Sequence, residues 1–135
     1  MRVSTFAADR TLDYFAAQLN GGALELYDGP MPGDDEALAF QPLLAKHVLE
    51  TPAFTPSLNV RVTAYGFPNQ TVILATGEAR WARLVKGSLV VANLTVGLKQ
   101  ADPADDPDVI LDRTDLQRGG ICRVDQLSLT WPRAC

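Results

Sequence analysis

The chain has 135 residues, 47% of them apolar, with 16 acidic against 12 basic side chains and a formal net charge of −4. This length suits one domain with an ordinary core, and the apolar share excludes wholesale disorder. The acidic balance, with no basic stripe, excludes the electrostatic footprint of a nucleic-acid binder.

No apolar run reaches the length of a membrane span, and the first nine residues, Met1 to Asp9, lack the apolar stretch of a secretory signal. The protein is expected to be made and kept in a cytoplasm, or assembled there into something larger. Residues 1–8 read as an N-terminal arm. A helix is expected over 9–20: Asp9 can cap it, Leu12, Phe15, Ala16 and Leu19 share one face, and Asn20-Gly21-Gly22 stops it. Such a short helix draws its stability from laying that stripe on a sheet. Ala23 to Tyr27 reads as a strand ended by the turn signal Asp28-Gly29-Pro30.

A polar loop from Met31 leads to a second strand, Leu43 to Leu49, framed by Pro42 and Pro52. Alternation puts Leu44, Lys46 and Val48 on one of its faces, and Leu43, Ala45, His47 and Leu49 on the other. The two prolines between Thr51 and Ser57 mark a loop or arm. Asn59 to Ala64 alternates, with Val60, Val62 and Ala64 inward. Thr71 to Ala75 and Glu78 to Val85 read as further strands, with Ala79 and Trp81 toward the core and Arg80 in solvent. Ser88 to Leu98 is apolar at nearly every position, as in a strand covered on both faces by its own domain or by a neighbouring subunit.

Residues 101–108 form a hydrophilic loop. A short apolar strand then runs from Val109, and a longer one follows the Gly119-Gly120 turn from Ile121 to Trp131. In that last strand Cys122 and Val124 share one parity and Leu127, Leu129 and Trp131 the other. The slip predicts a β-bulge near Asp125 or Gln126. Six to eight short strands with turn signals between them predict a mainly β chain: one β-sandwich domain, jelly-roll-like, over 23–132, with a single short N-terminal helix and a tail at 133–135.

Chemistry is sparse. His47 is the only histidine and lies in a strand with no acidic or cysteine partner at motif spacing, and no P-loop, nucleophile elbow, dinucleotide fingerprint or zincin motif occurs. No catalytic residue, cofactor site or metal site is expected. Asp102, Asp105, Asp106 and Asp108 have the oxygen chemistry of a hard-cation site. Their spacing fits no EF-hand, however, and prolines interrupt them, so a solvated loop is expected. Cys122 occupies a slot where valine would serve. Cys135 lies at the end of the tail, roughly 40 Å of extended chain away, so the two meet only if the tail folds back. Cys135 is instead placed to bond between subunits once outside a reducing cell. A sugar-stacking platform built from Trp81, Trp131, Tyr14, Tyr27 and Tyr65 would make the chain a carbohydrate-binding sandwich module. Alternation, however, puts both tryptophans inward.

Three motifs, in order, resemble a known family. Leu19-Asn-Gly-Gly-Ala-Leu-Glu-Leu-Tyr-Asp-Gly-Pro-Met-Pro32 is similar to the entry motif of small tailed-bacteriophage virion proteins. Ala75-Thr-Gly-Glu-Ala-Arg-Trp-Ala-Arg-Leu-Val85 resembles their middle Gly-x-Ala-x-Trp strand, and Ile110 to Gly120 with Val124 to Pro132 resembles their last hairpin. The resemblance implies a non-enzymatic virion component assembled in the host cytoplasm. It would be a capsid decoration (cement) protein or a neck or tail accessory, partnered by the major capsid protein or by neck and tail proteins, with no nucleic acid or membrane. The apolar Ser88–Leu98 strand, the Asp-Pro loop and the Cys135 tail depart from the family pattern. A cement protein gains from symmetric association with its own copies and needs elements that reach a shell. The segment before Asp9, Phe40 to Pro42 and Thr51 to Leu58 are such elements, with Phe6, Phe40, Phe54, Leu58 and Cys135 as interface residues.

Overall fold

The computed structural model describes residues 4–33, 41–58, 61–64, 70–102 and 105–130. The expectations placed on Phe40, Tyr65, Trp131 and Cys135 therefore lie outside the described residues. Helix α1 spans Thr5–Ala17, starting earlier than a cap at Asp9 would give. Ser4, in extended geometry, accepts the Ala7 N–H on its Oγ at 3.1 Å, satisfying one of the helix's unpaired donors. Residues 5–8 of the expected N-terminal arm thus form the first turn of the helix, and Asp9 is left for another task. Ala8, Leu12 and Ala16 form its buried stripe.

Ten strands are described: β1 (Ala23–Tyr27), β2 (Leu43–Val48), β3 (Arg61–Thr63), β4 (Gln70–Val72), β5 (Gly77–Glu78), β6 (Trp81–Lys86), β7 (Leu89–Gly97), β8 (Val109–Leu111), β9 (Asp115–Leu116) and β10 (Ile121–Thr130). Eight of them make one sheet in the order β2-β1-β6-β7-β8-β10-β3, with β4 also paired to β10. All its pairings are antiparallel except β7 with β8, and β5 with β9 forms a separate two-residue ribbon. The sheet curls until its ends meet, where Leu74, just past β4, donates its N–H to the Leu44 carbonyl of β2 at 2.7 Å. The chain is therefore mainly β, with one helix and a curled sheet.

The core fills the inside of the curl. Leu24, Leu26, Ala82, Leu84, Leu94, Leu111, Val124 and Leu127 face inward from the strands, and Leu12, Ala16 and Leu19 cover them from the helix side. Between α1 and β1, Gly22 sits where an added Cβ would come within 2.5 Å of the Val85 carbonyl oxygen, so only glycine lets the chain pass this close to β6.

Alternation holds in most strands, and its breaks have local causes. The predicted slip in β10 is present: the register jumps between Val124, opposite Leu111, and Gln126, opposite Ile110, leaving Asp125 as the extra residue. Cys122 and Val124 are buried before the bulge, and Leu127 and Leu129 after it. A second bulge, in β2, was not legible. Leu26 faces Ala45 and Tyr27 faces Leu43, so Leu44 bulges inward and is buried rather than sharing the exposed face of Lys46 and Val48.

The expected strand over Glu78–Val85 divides at Ala79, whose N–H turns to the Thr114 carbonyl at 2.8 Å. Trp81 is buried but lies on the reverse face of β6. It pairs with Tyr27 and is separated in register from the core-facing Ala82 and Leu84. The largest departure is β7. Leu94 is the one buried residue in it, while Leu89 and Val90 are 69% and 43% exposed, so the chain does not cover this strand on both faces.

Candidate partner interface

Thr51 to Leu58 was expected to reach away from the domain, but three hydrogen bonds strap it to α1. Ala53 donates its N–H to Asn20 Oδ1 at 2.8 Å, just past the helix end. Ser57 donates its N–H to Asp13 Oδ1 at 2.7 Å and its hydroxyl to Asp9 Oδ1 at 2.6 Å. Asp9 and Asp13 are one helical turn apart, so a single serine engages both. Under the strap lies a groove of about 350 Å³ lined by Ala16, Ala17, Pro52, Phe54 and Pro56 with Asp13 and Asn20.

The strap sorts the expected interface residues. Phe54 bridges to Ala64 and is buried in the core, so it packs on its own domain and is not an exposed anchor. Leu58, the residue after the strapping serine, turns outward and is 73% exposed, its backbone held by reciprocal bonds with Arg61 at 3.0 and 3.2 Å. Phe6 is 70% exposed, three residues before Asp9 and seven before Asp13, and so shares the flank of α1 that holds Ser57. The structure thus brings Phe6 and Leu58 to one flank.

An exposed aromatic on the outer face of α1, Tyr14, escaped the sequence reading as an interface residue. It is 72% exposed and lies eight residues after Phe6, with Arg10 halfway between. The Arg10 guanidinium sits 5.2 Å from the Phe6 ring centre, the geometry of a cation–π contact. The signal was present in the sequence as Phe6, Arg10 and Tyr14 at i, i+4 and i+8, opposite the Leu12–Ala16 stripe. Aromatic and arginine side chains are the types that dominate protein interfaces. Here they stand on a helix clamped from one side, so little side-chain and backbone freedom remains to be lost on docking.

Several other polar groups are occupied by structural bonds. On the reverse face of the sheet, Tyr27 stacks on Trp81 with ring centroids 4.7 Å apart. Arg83 lies over the Trp81 ring and donates from Nε to Asn93 Oδ1 at 2.9 Å. The Tyr27 hydroxyl donates to Glu25 at 2.9 Å; burial first, and this carboxylate second, push its pKa up to about 12. With Tyr27 and Trp81 both buried, neither offers a sugar a stacking surface.

Asp28 accepts from the Gly29 and Glu78 N–H groups and from Arg80 Nε, which together hold its carboxyl below the usual carboxylate range and pin the β1 turn to the β5 ribbon. In the acidic loop, Asp106 accepts from the Gln100 N–H at 2.7 Å and pairs with Lys99, and is likewise held low. Asp108 Oδ2 accepts from the N–H and hydroxyl of Thr95 at 3.1 and 3.2 Å. These carboxylates close the loop, and among the described residues no group of three or more His, Cys, Asp or Glu side chains is arranged to hold a metal ion. His47 is buried, in register with Leu24, and Cys122 is a buried thiol. No described helix is long and apolar enough to cross a membrane.

Comparison with protein-family models, curated proteins and solved structures returns no match.

Proposed function

We propose that this chain is a bacteriophage virion structural protein, a decoration protein that binds and stabilises a capsid shell. The observation that carries the reading is the clamped helix-and-arm surface, where Phe6 and Leu58 stand exposed beside the flank that Ser57 fixes and Tyr14 stands exposed on the outer face of the same helix. Three large apolar side chains held out by a rigid support suit a protein whose work is to stay attached. The order of the three phage-like motifs along the sequence supports the same reading. So does the placement of the described carboxylates, which brace loops and turns. In this reading the curled sheet is a jelly-roll-like sandwich, a shape that presents loops and one helix at its ends to a neighbour.

Two measurements test it. Quantitative mass spectrometry of purified particles should find the chain at about one copy per major capsid subunit, or a simple fraction of that. A ratio near a hundredth moves the protein to the neck or tail, and absence from the particle ends the virion reading. On shells stripped of the protein, the triple variant F6A/Y14A/L58A should rebind far more weakly, since interface anchors are each worth on the order of 1–2 kcal/mol or more. Because all three side chains are more than two-thirds exposed, the variant should remain folded.

A further inference from the structure

β7 has an unfinished edge. It pairs with β6 along its length but with β8 only at Val96 and Gly97. Among the described residues, no strand pairs with that edge between Leu89 and Thr95. The N–H of Thr95 points to this side, where the Asp108 side chain takes it at 3.1 Å. By the two-residue period of a strand, the N–H and carbonyl of Asn93 point the same way. Backbone groups in a row that no described residue pairs specify their partner class, because only another extended strand can take them in turn.

Two of the devices that usually blunt such an edge, charged side chains and proline, are missing. From Gly87 to Leu98 there is no charged residue and no proline, although charged residues make up 21% of the chain. Beside the edge lies an open cleft of about 230 Å³, walled by Ala92 and Leu94 of β7, Leu129 of β10, and Leu12 and Phe15 of α1, with Asn93, Asp108 and Thr130 completing its lining. It has room for one large aliphatic side chain. The same strand carries one, Leu89, standing 69% exposed five residues away.

We propose that the β7 edge pairs antiparallel with the β7 edge of a second copy, each copy seating its Leu89 in the other's cleft. A two-fold axis between Val91 and Ala92 sets Leu89 opposite Leu94 of the other copy, and Val90 opposite Asn93. Cleft and knob sit on one strand, so a single symmetric contact fills both clefts, as an isologous interface requires. Because the run is uncharged, the pairing brings no like charges together. The bulge at Val91, where Val85 pairs with Val90 and Leu84 with Ala92, bends the strand without covering its edge. This deepens the proposed multimeric role by naming the surface between copies, and it is tested without the shell.

Sedimentation velocity of the full chain over a concentration series should show a monomer–dimer equilibrium. L89K should raise its dissociation constant roughly tenfold or more, the effect of 1.4 kcal/mol or above at a contact. L58K, on the helix-and-arm surface, should leave the dimer intact while weakening shell binding. Hydrogen exchange gives a second readout that needs no substitution: peptides covering residues 89–95 should gain protection as concentration rises. A wild-type chain that stays monomeric, or a dimer indifferent to L89K, overturns the inference. So does protection that grows elsewhere but not in β7. Loss of shell binding in L58K with an unchanged dimer separates the two surfaces.

Discussion

Tyr27 and Cys122 show how burial, helped by a neighbouring carboxylate, tunes groups that carry no chemistry. Tyr27 has its hydroxyl on Glu25 and its ring on Trp81, and its folded pKa is raised from 10.0 to about 12. A raised pKa means the protonated form is favoured in the fold. The stability it contributes is therefore fully present below pH 10 and is lost as pH rises from there through about 12. A tyrosinate absorbance titration should show a step near pH 12 that Y27F removes; a step unchanged in Y27F would place the high-pH group elsewhere. Cys122 follows the same logic, its thiol pushed up to about 11 by burial first and then by Asp112. Peptide mapping after native alkylation at pH 8 should find Cys122 unmodified, and modified only once denaturant is added. The sequence made Cys122 legible, because its slot accepted a small apolar side chain. It did not make Trp81 fully legible, because alternation says that a residue is buried without saying on which of two covered faces.

At the level of elements, the bulge and the strap can be broken one at a time. The Asp125 bulge corrects parity by one residue, which is why Leu127 and Leu129 as well as Val124 face inward. Deleting Asp125 should merge the strand into one regular alternation with Val124, Leu127 and Leu129 still inward and in register with β8, so circular dichroism should still find a cooperative folding transition; its loss would mean that the bulge itself is required. S57A keeps the backbone bond to Asp13 but removes the hydroxyl bond to Asp9, a charge-assisted contact worth on the order of 1–2 kcal/mol. Urea unfolding should report that loss, and limited proteolysis should cut faster between residues 51 and 58. Unchanged proteolysis would mean that Asn20, the backbone bond to Asp13 and the core contact of Phe54 suffice to hold the strap.

The helix face and the β10 slip were readable because period and parity are written in one local stretch. The strap was not, because it joins side chains some 45 residues apart, and neither the proline-marked arm nor the Asp9–Asp13 pair announces the other. The helix start was missed because Ser4 and Asp9 are both acceptable caps, and only the tertiary use of Asp9 decides between them.

For the whole molecule, alternation named inward residues but not neighbours. Nothing in the sequence places β6 between β1 and β7, or brings Leu74 round to Leu44. The core inside that curl is continuous, and Leu84 is fully buried at its centre, between β1 and β7. L84A should cost about 2–5 kcal/mol in chemical denaturation, with an unchanged denaturant dependence if the unfolded state is unaltered.

The order of the sheet also sets a clock. β3 finds its partner only in β10, with Thr63 opposite Ser128, about 65 residues further along the chain. A ribosome takes roughly 3–13 s to make that stretch at ordinary elongation rates of about 5–20 residues per second. Throughout that interval β3 has beside it only the local pairing of Phe54 with Ala64 and Thr55 with Thr63, and Val62 lacks the β10 neighbour Leu129. A nascent chain of this protein thus depends, until Thr130 emerges, on whatever in the cell shields unpaired strands, and slowing translation ahead of β10 lengthens that dependence in proportion.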